Sequence, residues 1–545
     1  MKVMSEDVLV KEILSSRGIF DEKSIEKFLS PSYEDGVHDP FLMKDMKKAV
    51  DRFLQAIDNN EKIVVYSDFD ADGIPGGALF HDFLKKIGYE NFSNYIPHRN
   101  DEGYGFHLEA IDKFKEDGVD LIITIDVGIV AYDEVKRAKE LGMDVIVTDH
   151  HEPNGGVLEA IAVLDPKQED CKYPFKELCG TGVAYKFIQG ILVKRDFGIK
   201  SGMEKWWLDL VGLATLSDMV PLVDENRIFA HFGLVVLRKT GRPGILQACR
   251  TLNISQRHLN EDDIGFLITP RINAASRMGH PDDAFRLLTA LDEVEAGVCF
   301  SHLNSINDER KGLVGSIVKE VKKKIKKREE LGSVIVSGDP KWKPSVLGLV
   351  ANSLVEEYKR PVFIWGNEGS GSIKGSSRSD GSISLIDLLN SVSDSLEYFG
   401  GHKMAAGFSL KKNEIHSFEE KLCGAYDSLD KISCEDINVD GEIEEPDLND
   451  QFYKTISKLS PFGVGNPKPV FLIKNIVPTS VRTFGKQGNH VEIKFGKNRA
   501  IGFFQKIEDF SNTPEVGKKC SLIGNPEESF FAGRVEKRIR IVDVV

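Results

Sequence analysis

Aspartate and histidine recur along this chain in places where they could hold metal ions. In SDFDADGIPGG (67–77) three aspartates, Asp68, Asp70 and Asp72, alternate directly after an apolar run, and a glycine turn follows. Alternate residues of an extended segment point the same way, so the three carboxylates can line one pocket. Three acids with no basic neighbour repel one another unless a cation binds among them. The competing reading is a solvated turn whose aspartates cap a helix. Asp126 follows the apolar run LIITI, and Asp149, His150 and His151 follow VIVT. Two histidines alone are weak evidence, since many only satisfy core hydrogen bonds. Carboxylate with imidazole, however, matches Mn²⁺ or Mg²⁺ better than it matches thiol-preferring metals. Asp218, in LATLSDMVPL, is ambiguous by itself. Joined to the others it would complete a two-metal site, which clamps the attacking and leaving oxygens in phosphoryl chemistry.

These residues need a scaffold that gathers them. IVVYS (63–67), SNYIP (93–97), LIITI (121–125), VIVT (145–148) and IAVL (161–164) have the length and composition of short buried strands, separated by helical stretches. That alternation predicts an α/β domain with a doubly wound parallel sheet, whose carboxyl edge carries ligands. Residues 1–60 and 205–330 read as helical. The basic run at 317–330 (IVKEVKKKIKKREE), with Glu320 four residues before Lys324, reads as a solvated linker helix or as a stripe facing DNA. A second, smaller α/β unit begins near residue 332. After about residue 430, short alternating strands such as VEIKF, AIGFF and IRIVDVV predict a β-barrel.

At 545 residues the chain has room for several cores. Its net charge of −14 excludes a protein coated in positive charge, though not one with a local basic groove. The seven cysteines include no CxxC pair, which argues against a disulfide framework and a zinc site. No apolar run approaches the roughly 18 residues of a membrane span, and the N-terminus is charged where a signal peptide is apolar. A cytoplasmic protein with no membrane partner is expected.

IVVYSDFDADG, TIDVGI, TDHHEP and LSDMVPL resemble the four ordered motifs of the DHH phosphoesterase superfamily. IPHRNDEGYG (96–105), GTGVAYKF (180–187), PRINAASRMG (270–279), GSSRS (375–379), GGHKMAAG (400–407) and LSPFGVGNPKPVF (459–471) further resemble its branch of single-strand-specific 5′→3′ exonucleases. The likeness runs from about residue 15 to the C-terminus. It implies a helical segment (1–60), a DHH domain (61–282), a long connecting helix (283–331), a DHH-associated domain (332–430) facing the first across a cleft, and an OB-like barrel (431–545).

The resemblance further implies two ions, Mn²⁺ or Mg²⁺. Asp70, Asp72, His150 and Asp218 would be ligands and Asp126 a bridge, with His151 touching the scissile phosphate and Asp68 outside the ligand set. Arg99, Arg277, Ser376 and Arg378 match positions that hold a 5′-phosphate, and His402 a substrate contact. Tyr104 and Phe106 either stack bases or belong to the core. The implied activity is 5′→3′ exonucleolytic hydrolysis of single-stranded DNA to mononucleotides in recombination and repair. The implied partners are a helicase and a single-strand-binding protein, and the implied state is a monomer.

Two rivals remain: a DHH enzyme for short oligoribonucleotides or cyclic dinucleotides, and a non-catalytic replication scaffold. In the barrel, Arg482, Lys486, Lys494, Arg499, Arg534 and Arg538 interleave with Phe484, Phe495 and Phe503 as an OB surface for single strands; the alternative is core phenylalanines with solvated cations. A chain ending near residue 430 is expected to keep its metal centre. This sequence also departs from the family pattern. Ser67, Ser276 and Ser377 stand where glycine is usual, IPGG (74–77) replaces an ending in Thr-Ser, and Lys343 and Ser345 replace a histidine and a glycine.

Overall fold

The computed structural model describes residues 6–99, 101–367, 372–432, 438–485, 488–531 and 534–545. The chain divides into two compact units, one of Met1–Asn273, Pro281–Phe300 and Asn438–Val545, the other of Ala274–His280 and Ser301–Ile437.

In the first unit, β1 (Ile63–Ser67), β2 (Phe92–Tyr95), β3 (Leu121–Ile125), β4 (Asp144–Thr148) and β5 (Ala162–Leu164) form a parallel sheet in the order β2-β1-β3-β4-β5. The expected doubly wound sheet is what forms. β1 and β3 are buried along their whole length, as continuous apolar runs covered on both faces require. Ser67 pairs with Ile125, Ile125 with Thr148, and Thr148 with Leu164. The next residue on each strand is an aspartate: Asp68, Asp126, Asp149 and Asp165. Strand register alone therefore lines four acids along one sheet edge.

The second unit holds β6 (Ile335–Gly338), β7 (Val362–Gly366), β8 (Ile373–Arg378), β9 (Leu396–Gly401) and β10 (Ala405–Leu410) in the order β6-β7-β8-β10-β9. Only β6 and β7 pair in parallel. The long helix spans Glu293–Ile325, and residues 282–289 form a separate helix before it. Its basic end is no bare stripe. Ile317, Val321 and Ile325 are buried with Leu347 and Leu354 of the helix Pro344–Tyr358. Lys322 pairs with Glu357 and Lys324 lies over the Trp342 ring, while Glu320 accepts from Trp342 Nε1.

β11 (Gly441–Glu444), β12 (Phe471–Ile476), β13 (Pro478–Phe484), β14 (His490–Phe495), β15 (Asn498–Phe503), β16 (Cys520–Phe531) and β17 (Arg534–Val544) make a third sheet, ordered β11-β12-β16-β17-β15-β14-β13. A helix at Asp450–Ser457, capped by Asn449, lies between β11 and β12 where only strands were expected. Leu9, Ile13, Leu14 and Phe28, from the two N-terminal helices, share one core with Phe452, Phe471 and Ile493. The chain's first helices thus cover its last sheet. Removing everything after residue 430 would expose that core, so the expectation that the remainder stays intact is withdrawn.

Candidate metal centre

The carboxylates of Asp70 and Asp72 are held by backbone amides, which sets them apart from those left open. Asp70 Oδ1 accepts from the amides of Asp72 (2.8 Å) and Gly73 (3.2 Å), while Asn273 Oδ1 takes the Ala71 amide (2.9 Å). Asp72 is buried at the start of the helix Gly73–Lys86. Its two oxygens accept from Gly180 N (2.6 Å) and Thr181 N (2.8 Å), and Thr181 Oγ1 donates to its carbonyl (2.6 Å). These donors are the first amides of the helix Gly180–Lys194, where backbone N–H groups and the helix dipole favour an anion. Gly180 must lack a side chain, because a Cβ there would lie 2.5 Å from Asp126 Oδ1.

Asp126 takes a left-handed backbone conformation (φ 63°) as β3 ends. Such strain in a non-glycine residue persists only where its surroundings impose it. Its Oδ1 is buried and accepts no hydrogen bond, yet lies 3.2 Å from His150 Nε2. The same nitrogen is 3.7 Å from Asp72 Oδ2 and 3.7 Å from Asp218 Oδ2. Ligand atoms of Asp72, His150 and Asp218, of Asp126, His150 and His151, and of Asp68, Asp70 and Asp126 each fall within 4.8 Å of one another. Asp68, expected outside the ligand set, stands among them, with a buried Oδ1 that no donor reaches.

The electrostatics follow from this crowding. Burial, then the neighbouring carboxylates, pushes Asp68 and Asp126 well above the usual carboxylate range and Asp218 up to about 9. Burial raises Asp72 as well, and holds His150 below its usual value. His151 differs. Burial opposes its charge, but the bond from Nδ1 to Asp149 Oδ1 (2.7 Å) outweighs it and lifts the imidazole to about 9. The donor set fits divalent cations: buried acid oxygens without donors, with an imidazole nitrogen beside them, are costly in an empty protein and favourable around positive charge.

Arg99 places its guanidinium over the Phe69 ring (4.9 Å), and the exposed Tyr104 brings its hydroxyl within 3.2 Å of His151 Nε2. Phe106 is buried against Tyr66, so the core reading holds for it. The other substrate candidates lie in the second unit. Arg277 Nη1 donates to Ser345 O and Ser345 Oγ returns the bond to Arg277 O, both at 2.8 Å. The serine that replaces glycine is therefore used. Arg378 donates to Ser376 Oγ (3.2 Å) and Ser377 O (2.8 Å), beneath a glycine, Gly348, whose Cβ would meet its Nη2 at 2.8 Å. His402 is exposed between β9 and β10.

Sequence reasoning left Asp149 and Asp165 out of the candidate site. Asp149 fixes the His-His turn by accepting from the amides of His150, His151 and Ile129. Asp165 is buried with Oδ2 unpartnered, and burial pushes it up to about 7. The missed signal was simple: four strands, YSD, TID, VTD and VLD, each end in aspartate. A further departure also resolves. A Cβ on Gly77 would sit 2.7 Å from Ser67 Oγ, so the glycine in IPGG makes room for the serine in β1.

A parallel sheet whose edge gathers unpartnered aspartates and a DHH triplet around shared cation positions defines a metal-dependent phosphoesterase of the DHH class. The DHH family N-terminal domain matches residues 62–215, the DHHA1 domain 331–427 and the RecJ OB domain 439–543. The single-stranded-DNA-specific exonuclease RecJ of Bacillus subtilis is 36% identical over 98% of this chain and 67% of its own length. That of Salmonella typhimurium is 31% identical over 85% of this chain and 82% of its own. The Mn²⁺ complex of Thermus thermophilus RecJ, 26% identical, superposes with a TM-score of 0.81 over 98% of this chain and 76% of that one; its Mg²⁺ complex, 25% identical, gives 0.75 over 98% and 74%. This chain belongs to the RecJ family.

Proposed function

We propose that this chain is a metal-dependent exonuclease that degrades single-stranded DNA from its 5′ end to mononucleotides, in recombination and repair. One observation carries the reading: Asp126 Oδ1 and His150 Nε2 face each other at 3.2 Å with no hydrogen bond between them, amid buried carboxylates. Asp70, Asp72, Asp126, His150 and Asp218 would hold two ions, Mn²⁺ or Mg²⁺, with Asp126 shared and Asp68 beside them. Such ions, when bound, lower the pKa of a ligated water and stabilise charge on the phosphorane.

The chain's own groups supply the positioning. Gly180 and Thr181 keep Asp72 fixed. Asp149 holds the proton on His151 Nδ1, which leaves Nε2–H to donate to a phosphate oxygen. Arg99 and Tyr104 would serve as substrate contacts on the first unit, and Arg277, Ser376, Arg378 and His402 as substrate contacts on the second. Arg378 pairs with no acid among the described residues, as a guanidinium reserved for phosphate would. A helicase and a single-strand-binding protein would supply the substrate to a monomer acting in the cytoplasm.

The test is release of mononucleotides from a long, 5′-phosphorylated single strand in Mn²⁺, against duplex, oligoribonucleotide and cyclic dinucleotide. Fast, Mn²⁺-dependent release from the single strand alone is expected. Preference for the ribonucleotide or cyclic substrates, or no cleavage at all, would overturn the proposal.

A further inference from the structure

The loop that presents Asp218 is held in part by its own surroundings, Val223 N and Asn226 Nδ2 both donating to Pro221 O (2.9 and 3.1 Å), and in part from a distant segment. Asp218 ends the helix Leu208–Ser217, and the helix Asp224–Leu237 follows. Met219 (φ 60°), between them, and Asp224 (φ 44°), the first residue of the second helix, are left-handed, an unfavourable conformation for side chains of this size. Among the described residues, the loop's one backbone hydrogen bond to a distant segment runs from Leu222 N to Val464 O (2.7 Å).

Val464 belongs to PFGVGNP, more than 200 residues further along the chain. Gly463 and Asn466 exchange backbone bonds (2.9 and 3.1 Å), so Val464 sits at the tip of a tight turn. Both turn glycines press on the Asp218 loop. A Cβ on Gly463 would lie 2.8 Å from Leu222 Cδ1, and one on Gly465 (φ 73°) 3.3 Å from Pro221 Cβ. The turn is itself anchored. Buried Asn466 donates to the carbonyls of Leu459 (2.8 Å) and Pro461 (2.7 Å) and accepts from Arg17. Arg227, on the helix after the loop, donates to the carbonyls of Leu459 (3.2 Å) and Ser460 (3.1 Å).

We propose that Gly463 and Gly465 are positioning residues for Asp218: the turn they form, just before β12 in the chain, sets that ligand's place by clamping Pro221 and Leu222. PFGVGNP is then a support of the metal centre, independent of any contact with DNA. The proposal rests on Asp218 being a metal ligand, and its test separates the two. Mn²⁺ binding to the full chain is measured by electron paramagnetic resonance of the free ion for wild type, Asp218→Asn, Gly463→Ala and the double variant, with circular dichroism in EDTA as the check on folding.

Gly463→Ala should weaken Mn²⁺ binding by about tenfold or more, the scale seen when a ligand loses its support. It should add no further loss in the Asp218→Asn background, since two changes acting through one group are not additive. Shortening the clashing side chain with Leu222→Val should restore affinity to Gly463→Ala. Wild-type affinity in folded Gly463→Ala, or additive losses, would overturn the proposal. If Gly463→Ala does not fold, Gly465→Ala, whose Cβ would meet Pro221 Cβ at 3.3 Å in a left-handed backbone (φ 73°), runs the cycle with Asp218→Asn without the Leu222 rescue. A loss that vanishes in the Asp218→Asn background then supports the proposal, while wild-type affinity or additive loss overturns it. A wild-type chain that takes up no Mn²⁺, or Asp218→Asn that binds it unchanged, would instead refute the metal-centre reading.

Discussion

The first sheet and the third both bury glutamate or aspartate, and they treat the charge in opposite ways. In the third sheet Glu492 is buried, with Arg482 (2.6 Å), Arg499 (3.8 Å) and Lys494 (4.0 Å) around it, and Glu527 meets Arg538 (2.7 Å) and Lys468 (3.4 Å). At the edge of the first sheet Asp68 and Asp126 have oxygens with no donor at all. A buried acid ringed by arginines is finished structure; one left without a donor is waiting for a cation. Arg378 is the converse, a cation without an acid. The partner, more than the burial, distinguishes a site from a scaffold.

The sharpest break of that contrast is Asp126→Ala. Cleavage should fall to background while single-strand binding persists or strengthens, measured by nuclease assay and by filter binding. Near wild-type cleavage would move the centre elsewhere. Arg378→Ala comes next. A 5′-phosphorylated strand should be digested faster than a 5′-hydroxyl one, and the variant should lose about 1.5–3 kcal/mol of that preference, the worth of a charged hydrogen bond. Equal rates on both strands before and after mutation would remove Arg378 from phosphate recognition.

Acidity offers a third test. A carboxyl whose folded pKa is raised favours the fold at low pH and loses that contribution as pH climbs from its unfolded value, near 4, to its folded one. Asp218, at about 9, with Asp68, Asp72 and Asp126 raised alongside, should make the protein in EDTA steadily less stable across that window. Mn²⁺ removes the repulsion, so the gap in Tm between loaded and chelated protein should widen from about pH 5.5 to about pH 8.5. A constant gap would mean that the carboxylates are compensated within the protein. Smallest is Glu492→Gln, expected to cost about 1–3 kcal/mol of stability by chemical denaturation while leaving Mn²⁺ affinity unchanged. Altered Mn²⁺ affinity would erase the distinction between the two sheets.

The short apolar runs of the first sheet were legible because each is complete within about five residues, and with them Asp70, Asp72, Asp126 and His150 at the strand ends. What the sequence hides is long-range. Gly180 and Thr181 stand in a motif visible in the sequence, yet their grip on Asp72 spans more than a hundred residues. The helix Asp450–Ser457 is too short for its periodicity to stand out. Glu492 read as one polar step of an alternating strand, and its cations arrive from β13, β14 and β15. Phe495 is core, as one reading had it; Phe503 instead lies beneath Arg538 and Arg540. Lys486 lies outside the described residues.

Ser67 and Gly77 carry a consequence for exchanging parts with relatives. The two positions share one small volume, filled here from the strand side. Introducing serine at 77, the residue the motif resemblance implies there, would drive a second side chain into space that the Ser67 hydroxyl already occupies. Ser67→Gly made first only opens a gap, and Gly77→Ser then refills it from the helix. The two changes should therefore be tolerated in one order and penalised in the other, so a lineage moving between these states has a preferred path, and a graft that copies either residue alone inherits a clash or a void.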